Sequence, residues 1–226
     1  ANLEYFRGKI IGWSLDLEHL PIAPGIADTF NAATTYFAEI GCEIRETRLD
    51  LSDAMDVFRV LRGNQFAETS RPFFDDNRHQ IKQTVIDNVE FGRSLSGEDL
   101  SRADAQRTKI YLRMLEYFKT YDFLIVPSTQ VEPFDIDIEW VTQINGRKMQ
   151  DYLEWMSVCC LITTTGLPAI SMPCGFSASG LPVGLQIVGP PGGDIEVLKM
   201  AKAFESVTHF ADRLPPILNE PSDNEL

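Results

Sequence analysis

Thr165-Gly-Leu-Pro-Ala-Ile-Ser-Met-Pro-Cys-Gly-Phe176, followed closely by Gly180-Leu-Pro-Val-Gly-Leu-Gln-Ile-Val-Gly-Pro190, is the stretch that decides the fold class. Pro168–Cys174 and Val183–Val188 are short apolar runs bounded by Gly and Pro, the pattern of buried strands. So little chain joins them that antiparallel pairing is the expected arrangement. Immediately upstream, Met149 to Ile162 is apolar and reads as a buried helix. Downstream, Asp194 to His209 carries Val197, Leu198, Ala201 and Phe204 on one face, an amphipathic helix. Between strand and helix lies Gly189-Pro-Pro-Gly-Gly-Asp194, where a phosphate loop would sit. It has no Lys-Ser/Thr, and its two prolines lack the N–H groups that a phosphate needs, so it reads as a tight turn.

Further from that core, the N-terminal part reads strand, helix, strand. Lys9–Trp13 is a short apolar run; Ile26, Phe30, Ala33, Phe37 and Ile40 form a helical stripe that Gly41 terminates; Glu43–Leu49 is a second strand. A unit of this length suits a parallel crossover. A helical block follows: one helix through Ala54, Val57, Phe58 and Leu61, another over Asp75–Phe91, and a third opened by Ser96-Gly-Glu-Asp99 as a capping box and ending near Tyr121. Phe123–Pro127 is a fully apolar strand. The long connection from Ser128 to Gly146 carries Glu132, Asp135, Asp137 and Glu139, which read as solvated loop charges. The expected fold is α/β, a mixed sheet flanked by helices. It forms a single domain over 1–214, followed by a polar acidic tail over 215–226.

The 226 residues carry 20 basic and 33 acidic side chains, a net charge of −13. Phosphate binding draws on clustered Lys and Arg, so a nucleic-acid partner is excluded, and anionic membranes are disfavoured. No apolar run approaches the roughly eighteen residues of a membrane span, and the N-terminus has no signal-peptide pattern. The expectation is a cytoplasmic protein. Cys42, Cys159, Cys160 and Cys174 form no CxxC and read as buried, unpaired thiols. His19, His79 and His209 are scattered without metal-ligand spacing, so no metal or cofactor is expected. There is no GxSxG elbow. Cys174 stands at a strand end where a nucleophile could sit, yet no cationic neighbour lies near it in sequence to activate it.

Several of these segments resemble one family. Gly8-Lys-Ile-Ile-Gly-Trp-Ser14, Tyr121-Asp-Phe-Leu-Ile-Val-Pro-Ser128 and the two motifs quoted first are similar to the C-terminal half of amidase signature enzymes, a group that includes bacterial amidases and the amidase subunit of glutamyl-tRNA amidotransferases. The resemblance runs from Gly8 to Leu214. It implies hydrolysis of a small amide by a Ser–Ser–Lys triad with a Gly/Ser-rich oxyanion hole. No such segment occurs in this sequence, so the resemblance assigns no catalytic residue, and the chain alone is expected to hydrolyse no amide. It implies instead pocket-lining roles for Ser128, Thr129, Gln130, Trp155 and Cys159. Amidotransferase subunits tend to show Asp-x-x-Thr, then Asn, ahead of the Gly-Leu-Pro; the matching positions here are Met156, Cys159 and Thr163. That departure favours a general amidase over an amidotransferase component. The alternative is a non-catalytic binding or scaffold protein derived from a truncated amidase. The expected partners are a small amide in the complete enzyme, and the missing N-terminal half or a second copy of the chain, meeting it along open strand edges.

Overall fold

Five strands make one mixed sheet in the computed structural model of the chain, which describes residues 2–17, 19–215 and 218. They are β1 (Ile10–Trp13), β2 (Glu43–Glu46), β3 (Phe123–Pro127), β6 (Ala169–Phe176) and β7 (Pro182–Val188), in the spatial order β2-β1-β3-β7-β6. β1 runs parallel to β2 and β3, whereas β7 is antiparallel to both β3 and β6. The change of sense follows from the connections. A whole helix, α1 (Pro24–Ile40), separates β1 from β2, while only a short turn separates β6 from β7.

β3 is buried along its full length, as its unbroken apolar run requires. α1 buries Ile26, Phe30, Ala33, Phe37 and Ile40, the stripe read from the sequence, and ends at Gly41 in the left-handed region (φ 99°). α1 and α7 (Asp194–Thr208) pack on β6 and β7, with Phe37 and Phe204 stacked at 4.8 Å. α2 (Ala54–Ser70), α5 (Gly97–Tyr117) and α6 (Ser157–Thr165) pack on one another, and their Val57, Ile110, Met114, Val158 and Leu161 join the same core as the strands. The expected capping box is present at α5: Ser96 Oγ accepts from the Asp99 N–H, and Asp99 accepts from the Ser96 N–H.

Three readings need correction. The helix expected over Asp75–Phe91 is broken into α3 (Phe74–Asn77), a 3-10 turn (Arg78–Gln80) and α4 (Gln83–Ser94). The break lets Phe74 turn back on Ile86 and Val89, which form a small core of their own. The helix expected over Met149–Ile162 starts later. Asp151 Oδ1 accepts from the Leu153 and Glu154 N–H groups, a side-chain turn that competes with helix, so only a 3-10 turn precedes α6. The stretch 128–146 is not wholly irregular. β4 (Gln143–Ile144) and β5 (Arg147–Lys148) pair across Asn145-Gly146, both at positive φ, the turn that this dipeptide favours. Most of the acidic tail, residues 216–217 and 219–226, lies outside the described residues.

β6 is an edge strand. Ala169, Ser171 and Pro173 are exposed along it, and its register shifts between Pro173 and Gly175.

Candidate functional site

The side chains that could handle a small molecule converge where α2, α5 and α6 meet. A cavity of about 490 Å³ opens there, within the range of small-ligand sites, and Phe58, Leu61 and Met156 supply apolar wall. Polar groups enter from all three helices: Arg62 from α2, Arg107 from α5, Cys159 and Thr163 from α6. The Arg62 guanidinium lies 4.3 Å above the Phe66 ring, and its Nε donates to Asn88 Oδ1 at 3.3 Å. Arg107 Nε donates to the Thr164 carbonyl at 3.2 Å, close to the C-terminal end of α6 where cations are favoured.

Cys159 departs from the expectation of four buried thiols: it is half-buried and borders the cavity, while Cys42, Cys160 and Cys174 are buried. All four are free. Hydrogen bonds from the Cys160 thiol and from the backbone at 159 and 160, with a smaller pull from the Arg62 charge, outweigh burial and move the Cys159 thiol below its ordinary value. Cys160 is pushed up in turn, by the thiolate beside it and by burial. Burial alone pushes Cys174 up to about 12, so it stays a neutral thiol at physiological pH and is no activated nucleophile.

The other residues singled out from the sequence lie elsewhere. Gln130 is fully buried and acts as a brace: its Nε2 donates to the Pro21 carbonyl at 3.1 Å, and its Oε1 accepts from the Val158 N–H at the start of α6. Thr129 turns back on the Val131 carbonyl. Ser128 reaches past Gly184 of β7 to Ser171 of β6, Oγ to Oγ at 2.7 Å. Trp155 packs edge-on against Phe134 and Tyr152, its buried Nε1 without a partner. The five therefore do not form one site; only Cys159 borders the cavity. Met156 and Thr163, which the amidotransferase pattern marks, line it as well. Arg62 and Arg107 are not legible in the sequence, because only helix packing brings both to one cavity. Phe58 and Phe66, four residues either side of Arg62, were the one local signal, since that spacing puts all three on one helix face.

Among the described residues two serine pairs hydrogen-bond, Ser128–Ser171 and Ser177–Ser179, both at 2.7 Å. Among the described residues no lysine hydrogen-bonds to either; Lys9, Lys199 and Lys202 are each engaged with a carboxylate. Glu132, from the acidic connection, lies against Gly25 in the first turn of α1, where a carboxylate faces the helix N-terminus. No group of side chains among the described residues could hold a metal ion, and no described helix is long and apolar enough to cross a membrane.

The family model for Amidase matches residues 17–198. An acylamidase of Rhodococcus erythropolis is 26% identical over 92% of this chain, which spans 44% of that relative. A glutamyl-tRNA(Gln) amidotransferase subunit of Brevibacillus brevis is 37% identical over 92% of this chain and 46% of its own length. The chain thus spans less than half of each of these curated relatives. Among solved structures, a bacterial aryl acylamidase of the amidase signature family superposes with a TM-score of 0.81 at 22% identity, over 92% of this chain and 45% of that one. A 6-aminohexanoate cyclic dimer hydrolase gives 0.78 at 17%, over 94% and 48%. At those identities the structures speak for the fold alone, and they carry the same mixed sheet flanked by helices. With its fold matched and most of its length covered by the family model, the chain belongs to the amidase signature family.

Proposed function

We propose that this chain is the cavity-bearing part of an enzyme that hydrolyses the carbon–nitrogen bond of a small amide, and that the nucleophile comes from residues outside it. The observation that carries the reading is the family match over residues 17–198. Two features of the chain support the division of labour. Among the described residues neither serine pair has a lysine to take its proton, and the strand-end thiol, Cys174, is held neutral by burial. The cavity at α2, α5 and α6 is the substrate's place, with Met156, Cys159 and Thr163 on its wall. Ser128, Thr129, Gln130 and Trp155 shape the chain around it rather than touch the substrate. The other half of the enzyme, or a second copy of the chain, covers the open edge at β6.

Assays of two polypeptides test this: the chain itself, and the chain extended upstream through its own reading frame. The chain alone turns over neither aliphatic nor aryl amides. The extended protein, carrying a Gly/Ser-rich segment, hydrolyses them. An extended protein with that segment and no amidase activity would sink the reading and favour a non-catalytic scaffold. Turnover by the chain alone, abolished by Cys174→Ala, would place the nucleophile inside it.

The likeness to amidotransferase subunits favours a second reading, a component that releases ammonia from glutamine. Met156, Cys159 and Thr163 stand against it, because they replace the Asp, Thr and Asn that those subunits tend to carry. Glutaminase activity in the extended protein would reverse the preference.

A further inference from the structure

A second pocket lies between α4 and the chain on either side of the β4–β5 hairpin. It encloses about 440 Å³, and neither Arg62, Arg107 nor Cys159 borders it. Three aromatic rings do: Phe91 from α4, Trp140 ahead of β4 and Tyr152 beyond β5. All three stay partly open to solvent, Phe91 at 42%. Two of the rings come with a carboxylate. Asp87 stands one turn before Phe91 on α4, and Glu139 directly precedes Trp140. A third carboxylate, Asp151, is already paired with Arg59, which also borders the pocket. Asp87 accepts from the neutral Gln83 amide at 2.6 Å, and among the described residues no cation meets Asp87 or Glu139. Two negative charges are therefore left uncompensated beside three rings.

Elsewhere such rings carry a cation from the chain itself: Arg62 lies on Phe66, Arg93 on Phe74, Lys199 on Tyr5 and Arg213 on Phe176. Among the described residues none lies on Phe91, Trp140 or Tyr152. Two of the rings are also held in place before any ligand arrives. Phe91 rests on Gly63 of α2, where a Cβ would strike it, and Tyr152 packs edge-on against Trp155. Ring faces attract a cation, and rings that displace water strengthen its attraction to carboxylates nearby. A metal ion fits poorly, because no group of side chains among the described residues could hold one.

We propose that this pocket binds a small organic cation, an alkylated ammonium, with Phe91, Trp140 and Tyr152 around the charge and Asp87 and Glu139 balancing it. The site stands apart from the amide-hydrolysis reading and does not depend on it.

Trp140 is the reporter, labelled as 5-fluorotryptophan. Its fluorine signal is the one that Trp140→Phe removes, and survival of the other signals in that variant shows that the fold is kept. We expect choline to shift the signal saturably. Its neutral twin 3,3-dimethylbutan-1-ol, with carbon in place of the ammonium nitrogen, should bind at least about tenfold more weakly. Phosphocholine, which adds a phosphate to the same ammonium, should also bind more weakly than choline, because Asp87 and Glu139 repel it. Asp87→Asn and Glu139→Gln together should lower the preference for choline over the alcohol severalfold. Phe91→Leu, which keeps apolar bulk and loses the ring face, should lower it as well. Because each preference is a ratio within one protein, a loss of stability in a variant does not mimic these results. Equal binding of choline and the alcohol, a preference untouched by the carboxylate substitutions, phosphocholine binding as tight as choline, or a shift that sodium chloride reproduces at equal ionic strength would overturn the proposal.

Discussion

The sheet and the α3–α4 arm are built to different standards. Around the sheet one continuous core takes in α1, α7, α5, α6 and four of the five strands, with Phe30, Phe37 and Phe204 fully buried. The arm has a core of three buried residues, Phe74, Ile86 and Val89, and meets the rest of the molecule chiefly where α4 lies on α2. That contact is close because two glycines face each other: a Cβ on Gly92 would run into the Gly63 carbonyl. Opening free energy tracks the buried apolar contacts that hold a segment, so the two regions should unfold at different levels. The cavity lies against α2, the helix that serves both regions, and Asn88 of the arm holds Arg62 in place. The arm is therefore the part of the molecule whose order the cavity depends on.

Phe204→Ala tests the stronger region and should have the largest effect. It removes a ring stacked on Phe37 and leaves a cavity, costing about 3–5 kcal/mol. The expected result is a lower denaturation midpoint seen equally by probes in the sheet and in the arm. Gly92→Ala should separate the two regions. Overpacking typically costs about 1–3 kcal/mol, and here the cost should fall on α4. Amides of 83–94 should exchange faster while those of β3 and β7 keep their protection. Equal loss in both would show that arm and sheet are one cooperative unit. Ser96→Ala removes the N-cap of α5 and should cost about 1 kcal/mol. Because α5 joins the main core, that loss should appear as a global shift in unfolding.

The smallest effect concerns pH. Burial alone would raise the Asp151 carboxyl, but the Arg59 guanidinium and the Leu153 and Glu154 N–H groups hold it below its ordinary value of 3.8. Its contribution is fully present above that value and is lost as the pH falls through the lower, folded-state value. The pair is more than a third exposed on the Asp side, so solvent screening leaves under about 1 kcal/mol. Asp151→Asn should flatten the stability curve below about pH 4 by that amount and leave the unfolding free energy from urea titration at neutral pH within about 1 kcal/mol of the parent.

The same contrast governs what the sequence discloses. The main sheet and its helices were legible because their signals are local: the stripe from Ile26 to Ile40, the Ser96–Asp99 box, the apolar run at Phe123–Pro127 and the paired Gly/Pro-bounded runs at the C-terminal side each specify their own conformation. The arm was not. Asp75–Phe91 has a helical pattern, and only the demand of Phe74 for a partner at Ile86 and Val89 breaks it. The β4–β5 hairpin had its Asn145-Gly146 signal, masked by the polar character of the strands. Of the residues that border the cavity, Cys159, Met156 and Thr163 were singled out through the family pattern. The two backbone bonds of Gln130, to the Pro21 carbonyl and from the Val158 N–H, were not legible, because a buried amide between two backbone partners has no local signature. Arg62 and Arg107 belong to separate helices, and no spacing along the chain announces that both border one cavity.

Pro173 in the edge strand β6 sets terms for whatever meets that edge. Proline has no N–H to offer a neighbouring strand, and the register shift between Pro173 and Gly175 bends the ladder just beyond it. An incoming strand therefore finds an unbroken row of backbone groups only over Ala169–Met172. So short a window supports a partner that brings its own side-chain contacts. It does not support the open-ended stacking of identical strands, so the edge can be left bare for a specific partner without becoming a seed for fibres.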